Sequence, residues 1–242
     1  MQNPLRLLSL NIERAKHYHR WLPFVRENNF DVVCLQEVCE SDLGMFKAEL
    51  GMHFVFAPMR RIYRDDNNQE DICGIAIGLL QEGKIDIHYY VEKYDNEKEP
   101  DLPQGFLSAP RVLLGITYEK ENHVYYVATT HFTRTDDGEI TDKQREDANN
   151  LLDLLSKKQD FVLCGDMNAP RGKECFSMFA QQYVDHIPAE YTNSIDTSLH
   201  RNPNLEFMVD ALFATPHYTA SNVKLVAGLS DHKGIVAELY KE

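Results

Sequence analysis

Polar side chains recur in this sequence where apolar runs end. Asn11 closes LRLLSLN, with Glu13 two residues on, and Gln36-Glu37 closes DVVCLQE. His131 closes VYYVATTH, Asp166 closes FVLCGD, and Asn168 follows. Asp210 stands among apolar neighbours in FMVDALF, and Ser230-Asp231-His232 precedes GIVAELY. Carboxylates with open positions suit Mg²⁺, which keeps phosphate oxygens or water as its remaining ligands. A His–Asp pair with a second Asp supplies proton transfer and orientation. Asparagine amides donate to charge that develops on a phosphoryl group. Each residue alone has a plainer reading. Asn11 is a turn former, Glu37 a solvated strand end, and Asp166-Met167-Asn168 an Asx-turn. His131 is a satisfied core histidine, Asp210 half of a structural ion pair, and Asp231-His232 a loop. The signal lies in the ordered set.

The elements that must position these residues are mostly strands. LRLLSLNI, DVVCLQEV, HFVFAP, GIAIGLL, KIDIHYYVE, RVLLGITYE and VYYVATTHF read as strands in the first half. FVLCGD, EFMVDALFAT, NVKLVAG and GIVAELY read as strands in the second. Neighbouring strands without an intervening helix imply antiparallel hairpins. Residues 19–29 form a helix with Pro23 in its first turn, and Ser41 is the N-cap of SDLGMFKAEL. Residues 141–157 form a helix with Ala148, Leu151, Leu152 and Leu155 on its apolar face, and KECFSMFAQQY forms a short one. The expected architecture is α/β, with two mixed sheets packed face to face and helices covering the outer faces. Residues 60–71, 93–105 and 185–206 read as long polar loops.

The chain has 242 residues, which suits a single domain over 1–242 with a sizeable core. Its net charge of −13 argues against a protein that holds nucleic acid by a diffuse basic surface, though a local phosphate site is compatible with it. No apolar run reaches the ~20 residues of a membrane span, and the first residues do not resemble a signal peptide. The five cysteines show no CxxC pairing. A reducing cytoplasm is the simplest location, with no stable membrane insertion and no partner protein implied.

The ordered motifs LSLNIE, CLQEV, TTHF, CGDMNAP, MVDALF and GLSDHKGI resemble the endonuclease/exonuclease/phosphatase superfamily. They run through nearly the whole chain. The resemblance implies a four-layered α/β sandwich of mixed, mostly antiparallel sheets and Mg²⁺-dependent phosphoester cleavage, with Mn²⁺ as a substitute ion. It assigns Glu37 to the metal, with Asn11 and Asp231 beside it. His232 contacts the scissile phosphate or activates water, and Asp210 orients it. Asp166 and Asn168 handle the nucleophile or leaving-group proton and steady the phosphate. His131 matches a second histidine found in many members, Arg111 an arginine found in several, and Glu13 a weaker metal position.

The implied substrate is a phosphoester, and a nucleic-acid or nucleotide phosphodiester leads. A small soluble or lipid phosphate is the alternative, and a non-catalytic binding module on the same fold is another. Val38-Cys39 after the QE motif and Ala169-Pro170-Arg171 after GDMN depart from the apurinic-endonuclease and inositol-phosphatase patterns. Tyr191, Thr192, Asn193, Asp196, His200 and Arg201 are candidates to line the substrate entrance. Arg60, Arg61, Tyr63 and Arg64 form the densest basic cluster, and the favoured reading is a charged loop neutralised by Asp65, Asp66, Glu70 and Asp71.

Overall fold

The first apolar run becomes β1 (Leu5–Asn11) and runs parallel to β2 (Val32–Cys39), with α1 (Tyr18–Asn28) crossing between them. The computed structural model describes residues 3–91, 102–105, 108–136 and 138–242. A hairpin of β3 (His53–Tyr63) and β4 (Glu70–Leu79) follows α2 (Leu43–Leu50). The chain then enters a second sheet through β5 (Lys84–Val91), β6 (Arg111–Lys120) and β7 (His123–His131). A second parallel crossover joins β7 through α3 (Asp142–Ser156) to β8 (Val162–Asp166). After α4 (Glu174–Ala180) come β9 (Val184–Asp185) and β10 (Asp210–Ala214). The last hairpin, β11 (Tyr218–Val226) and β12 (Gly234–Lys241), returns to the first sheet.

The sheet orders are β11-β12-β1-β2-β4-β3 and β5-β6-β7-β8-β10-β9. Period-two alternation sorts the side chains of each strand. Leu7, Cys34 and Ile77 of the first sheet meet Val127, Cys164 and Leu212 of the second in the inter-sheet core. Leu8, Leu10, Val33 and Leu35 face the other way and pack on Trp21, Val25 and Phe46 of α1 and α2. Leu163 and Phe213 likewise pack on Leu151, Leu155 and Phe179 of α3 and α4. The result is the expected four-layered sandwich.

Local expectations were corrected in four places. Pro23 sits inside α1 rather than in its first turn. Ser41 lies in a short 3-10 turn before α2, where its Oγ donates to Asp71 and accepts from Arg64, and makes no helix cap. Residues 60–71 are mostly hairpin: β3 continues to Tyr63 and β4 begins at Glu70. The strand expected at 206–215 begins only at Asp210. Most of the loop expected at 93–105 lies outside the described residues.

Thr141 caps α3, its Oγ1 accepting from the Gln144 backbone N–H at 3.1 Å. Thr141→Ala is expected to cost about 1 kcal/mol. Thermal unfolding should fall by about 2–4 °C; an unchanged midpoint would remove the cap from the helix's stability.

Candidate active site

The same alternation that fills the core builds the site. Along β7, β8 and β10, the residues facing the first sheet end in His131, Asp166 and Asp210. Strand register sets His131 beside Asp166, and Asp166 beside Asp210. Asn11 ends β1 on the facing sheet, and its Nδ2 donates across the gap to Asp166 Oδ2 at 3.1 Å. The carboxyl ends of both parallel strand pairs therefore converge on one rim.

Glu37 reaches this rim by breaking the alternation. Leu35 faces the helices, and Gln36 faces the other sheet, donating to Thr129 Oγ1 at 2.9 Å. A regular strand would turn Glu37 back toward the helices. Instead the β2–β4 register slips between Leu35 and Val38, and Glu37 adopts φ 57°. Such bulges re-aim side chains beside functional sites. Glu37 Oε1 then accepts from Asn11 Nδ2 at 3.4 Å.

His232 arrives on the loop before β12. Its Nδ1 lies 2.8 Å from Asp210 Oδ2, and its Nε2 is 3.8 Å from Asp166 Oδ2. The segment 193–196 fastens this loop to β10. The Ser194 hydroxyl accepts from the backbone N–H of Val209 and Asp210, its carbonyl accepts from Lys233 N–H, and Asp196 N–H donates to the Asp231 carbonyl. Asp166 is held at both oxygens. Oδ1 accepts from Asn168 N–H at 2.9 Å, and Oδ2 lies 3.4 Å from His131 Nε2. Asn168 has φ 46° and donates through Nδ2 to the Phe132 carbonyl at 3.1 Å.

These contacts set the charges. Burial alone would raise the Asp166 carboxyl, but the His232 charge and the His131 hydrogen bond hold it well below the usual range. Burial raises the Asp210 carboxyl, with His232 opposing and Asp166 adding to the rise. Burial alone would lower His232, but Asp210 and Asp166 lift it well above the usual histidine range. Asp231 is raised by burial, with His232 opposing and the like charges of Glu13 and Glu37 adding.

Asp166, Asp210 and His232 have ligand atoms within 4.8 Å of one another. His232 Nδ1 is already engaged by Asp210, so this trio fits a proton relay better than a metal cage. Glu13, Glu37 and Asp231 form the other cluster of hard oxygen donors: the like charges of Glu13 and Glu37 raise Asp231, while Glu13 also pairs with Lys16 and His17. That donor set fits an oxygen-seeking divalent ion.

The cleft over these groups holds about 500 Å³. Asn11, Glu37, His131, Asp166, Asn168, Asp231 and His232 all line it. Asp210 lies behind His232, 2 % exposed. Arg111 is outside this lining. It is buried beneath the rim, donates through Nε to Thr133 Oγ1, and borders a narrow crevice with Glu37 and His131. His200 and Arg201 reach the cleft, whereas Tyr191 packs on the inter-sheet core and Asp196 accepts from Gly228 N–H and from Ser198. Arg60 lines the cleft, while Arg61 pairs with Glu70 and Arg64 with Asp42, Asp66 and Asp71. Sequence reasoning missed Arg14, Arg134 and Thr135 in the lining. Arg134 and Thr135 follow closely on His131, which was the one available signal.

No curated protein gives a significant match to the sequence. Solved structures match it end to end. An endonuclease/exonuclease/phosphatase from Bacteroides vulgatus is 15% identical, with a TM-score of 0.73 and 100% of both chains covered. A mannosyl-6-phosphatase from Bacteroides thetaiotaomicron is 16% identical, with a TM-score of 0.68 over 98% of this chain and 99% of that one. D. rerio TDP2, complexed with a single-strand DNA product, is 16% identical, with a TM-score of 0.68 over 99% and 100%. At these identities the likeness shows a shared fold. The model of the Endonuclease/Exonuclease/phosphatase family matches residues 8–232. With that match spanning nearly every element, the chain belongs to the endonuclease/exonuclease/phosphatase family and is a hydrolase of phosphoester bonds.

Proposed function

We propose that this hydrolase is a Mg²⁺-dependent phosphodiesterase of nucleotides or nucleic acid, working through one domain over residues 1–242. The observation that carries the reading is the meeting of Asp166 with the Asp210–His232 pair on one rim, beside the separate carboxylates Glu37 and Asp231. Glu37, Asp231 and Asn11 would hold the ion, with Mn²⁺ able to replace Mg²⁺. When bound, the ion offsets charge on the phosphate oxygens.

The chain's own groups divide the remaining work. Asn168 N–H pins Asp166 Oδ1 while Asn11 and His131 contact Oδ2, so the carboxylate is fixed beside His232, where it would orient water and accept its proton. Asp210 holds Nδ1 of His232, so Nε2 is presented to a phosphate oxygen or the leaving oxygen. Asn11 and His131 add donors on the side of Asp166 Oδ2. Five free, buried cysteines suit a reducing cytoplasm, and no helix among the described residues is long and apolar enough to cross a membrane.

One observation favours a second reading, a phosphatase on a small soluble phosphate. Arg61 and Arg64 of the densest basic cluster are committed to carboxylates, so that cluster offers no open track for a long strand. A panel of bis-p-nitrophenyl phosphate, p-nitrophenyl phosphate, DNA, RNA and inositol phosphates, each with Mg²⁺ and with EDTA, separates the two. Metal-dependent turnover of diesters supports the first reading; turnover of monoesters alone replaces it with the second. Glu37→Gln is expected to weaken Mg²⁺ binding at least about tenfold by calorimetry, equal to ~1.4 kcal/mol. An unchanged titration would remove Glu37 from contact with the ion.

A further inference from the structure

The cleft contains more cationic and donor capacity than one phosphate needs. Asn11, His131, Asn168 and His232 surround the position of the scissile group, all at or below the rim. Above them two exposed arginines, Arg134 and Arg201, also line the cleft. They come from separate segments, Arg134 from the turn after β7 and Arg201 from the long connection between β9 and β10. Neither makes an ion pair among the described residues, whereas Arg14, Arg61, Arg64, Arg145 and Arg171 each meet a carboxylate. In a chain of net charge −13, two guanidinium groups without an ion pair among the described residues line the same cleft. Beside Arg134, the Thr135 Oγ1 is buried in the same lining without a hydrogen-bond partner among the described residues. Guanidinium forks and a hydroxyl form a donor set suited to phosphate oxygens.

We infer that Arg134, Thr135 and Arg201 bind a second phosphate of the substrate, so that the preferred substrate carries another phosphate about one sugar away from the scissile one. The inference rests on the phosphoester reading of the site above. A cleft of about 500 Å³ has room for one such unit. The shared chemistry has two sources, a nucleoside flanked by two phosphates or a bisphosphorylated sugar.

Calorimetry with Mg²⁺ present tests it on two ligand pairs: thymidine 5′-monophosphate against thymidine 3′,5′-bisphosphate, and glucose 6-phosphate against glucose 1,6-bisphosphate. The bisphosphate is expected to bind at least about tenfold more tightly in one pair, and that pair identifies the source. In the Arg134→Ala/Arg201→Ala variant the ratio should fall to within about twofold of unity. Both side chains are exposed, so the fold should survive, and a circular dichroism melt verifies this. A ratio near one in the unaltered protein for both pairs overturns the inference. So does a ratio that persists in the variant, or an equal loss for mono- and bisphosphates, which would be general attraction. Thymidine 5′-p-nitrophenyl phosphate, assayed in the same samples, reports hydrolysis separately. Absent turnover defeats the phosphodiesterase reading whatever the affinities, and an absent ratio defeats the second phosphate site whatever the turnover.

Discussion

His232→Ala is expected to lower kcat on a phosphodiester about 10³-fold, the scale of a general acid–base group. Two contacts and burial make the effect large. Asp210 holds Nδ1 at 2.8 Å, Asp166 stands 3.8 Å from Nε2, and the side chain is 9 % exposed. Water cannot replace a donor held this way, since a replacement must be ordered in place of a fixed ring. The substitution also strips Asp210 of its cation. Breaking a buried pair by removing one partner costs about 3–5 kcal/mol, though a carboxyl already raised by burial can take a proton and soften the loss. His232→Gln, which keeps an amide near the same place, separates the two effects. Both variants should be nearly inactive with Mg²⁺ at saturation, and the Gln variant should melt closer to the unaltered protein. Turnover within tenfold of normal in either variant would take His232 out of the reaction.

The strand-end residues were legible in the sequence because apolar runs announce strands, and period two announces faces. Asn11, His131, Asp166 and Asp210 all share the parity of the inter-sheet core residues in their own strands, so their convergence follows from the alternation. Glu37 follows a different logic. Its parity points it at the helices, and only a bulge with a left-handed backbone brings it to the cleft. Nothing in DVVCLQEV announces a bulge. Ser41 was misplaced for a related reason. A serine before an apolar helix reads as a cap, but Asp71 and Arg64 lie nearby only after β4 folds back, and they take its hydroxyl. The cluster at residues 60–64 was read correctly as neutralised for Arg61 and Arg64. The strand character of that stretch was hidden by its charge. Arg134 and Arg201 were hard to rank because exposure, pairing and cleft lining are properties of the assembled surface. Ser194 went unnoticed because its work, accepting from Val209 and Asp210, joins segments that local pattern does not relate.

Gly165→Ala is expected to be strongly damaging, and it acts on fold and site together. Gly165 precedes Asp166 at the end of β8, with φ 136°, where side chains other than hydrogen are strained. A Cβ there would stand 2.2 Å from the Thr130 carbonyl oxygen and 3.1 Å from Thr129 Oγ1. That carbonyl belongs to β7, the parallel neighbour that sets His131 beside Asp166. The methyl must either push β7 from β8 or turn the backbone toward an ordinary φ. Backbone strain of about 1–3 kcal/mol and overpacking of about 1–3 kcal/mol add to roughly 2–6 kcal/mol. Against a total stability of about 5–15 kcal/mol this is a large fraction. The melting midpoint should drop by about 10 °C or more. The surviving folded protein should also be impaired, because either relief moves Asp166 relative to His131 and His232. Relief by spreading the strands would lengthen the Asp166–His131 distance; relief by rotating the peptide would swing the carboxylate off the Asn168 N–H. A midpoint within 2 °C of normal would mean the strands separate at little cost, and the close β7–β8 approach would then not be what fixes the Asp166 carboxylate. A lowered midpoint with full activity would mean that Asp166 is positioned by its own hydrogen bonds alone, independent of the strand that carries it.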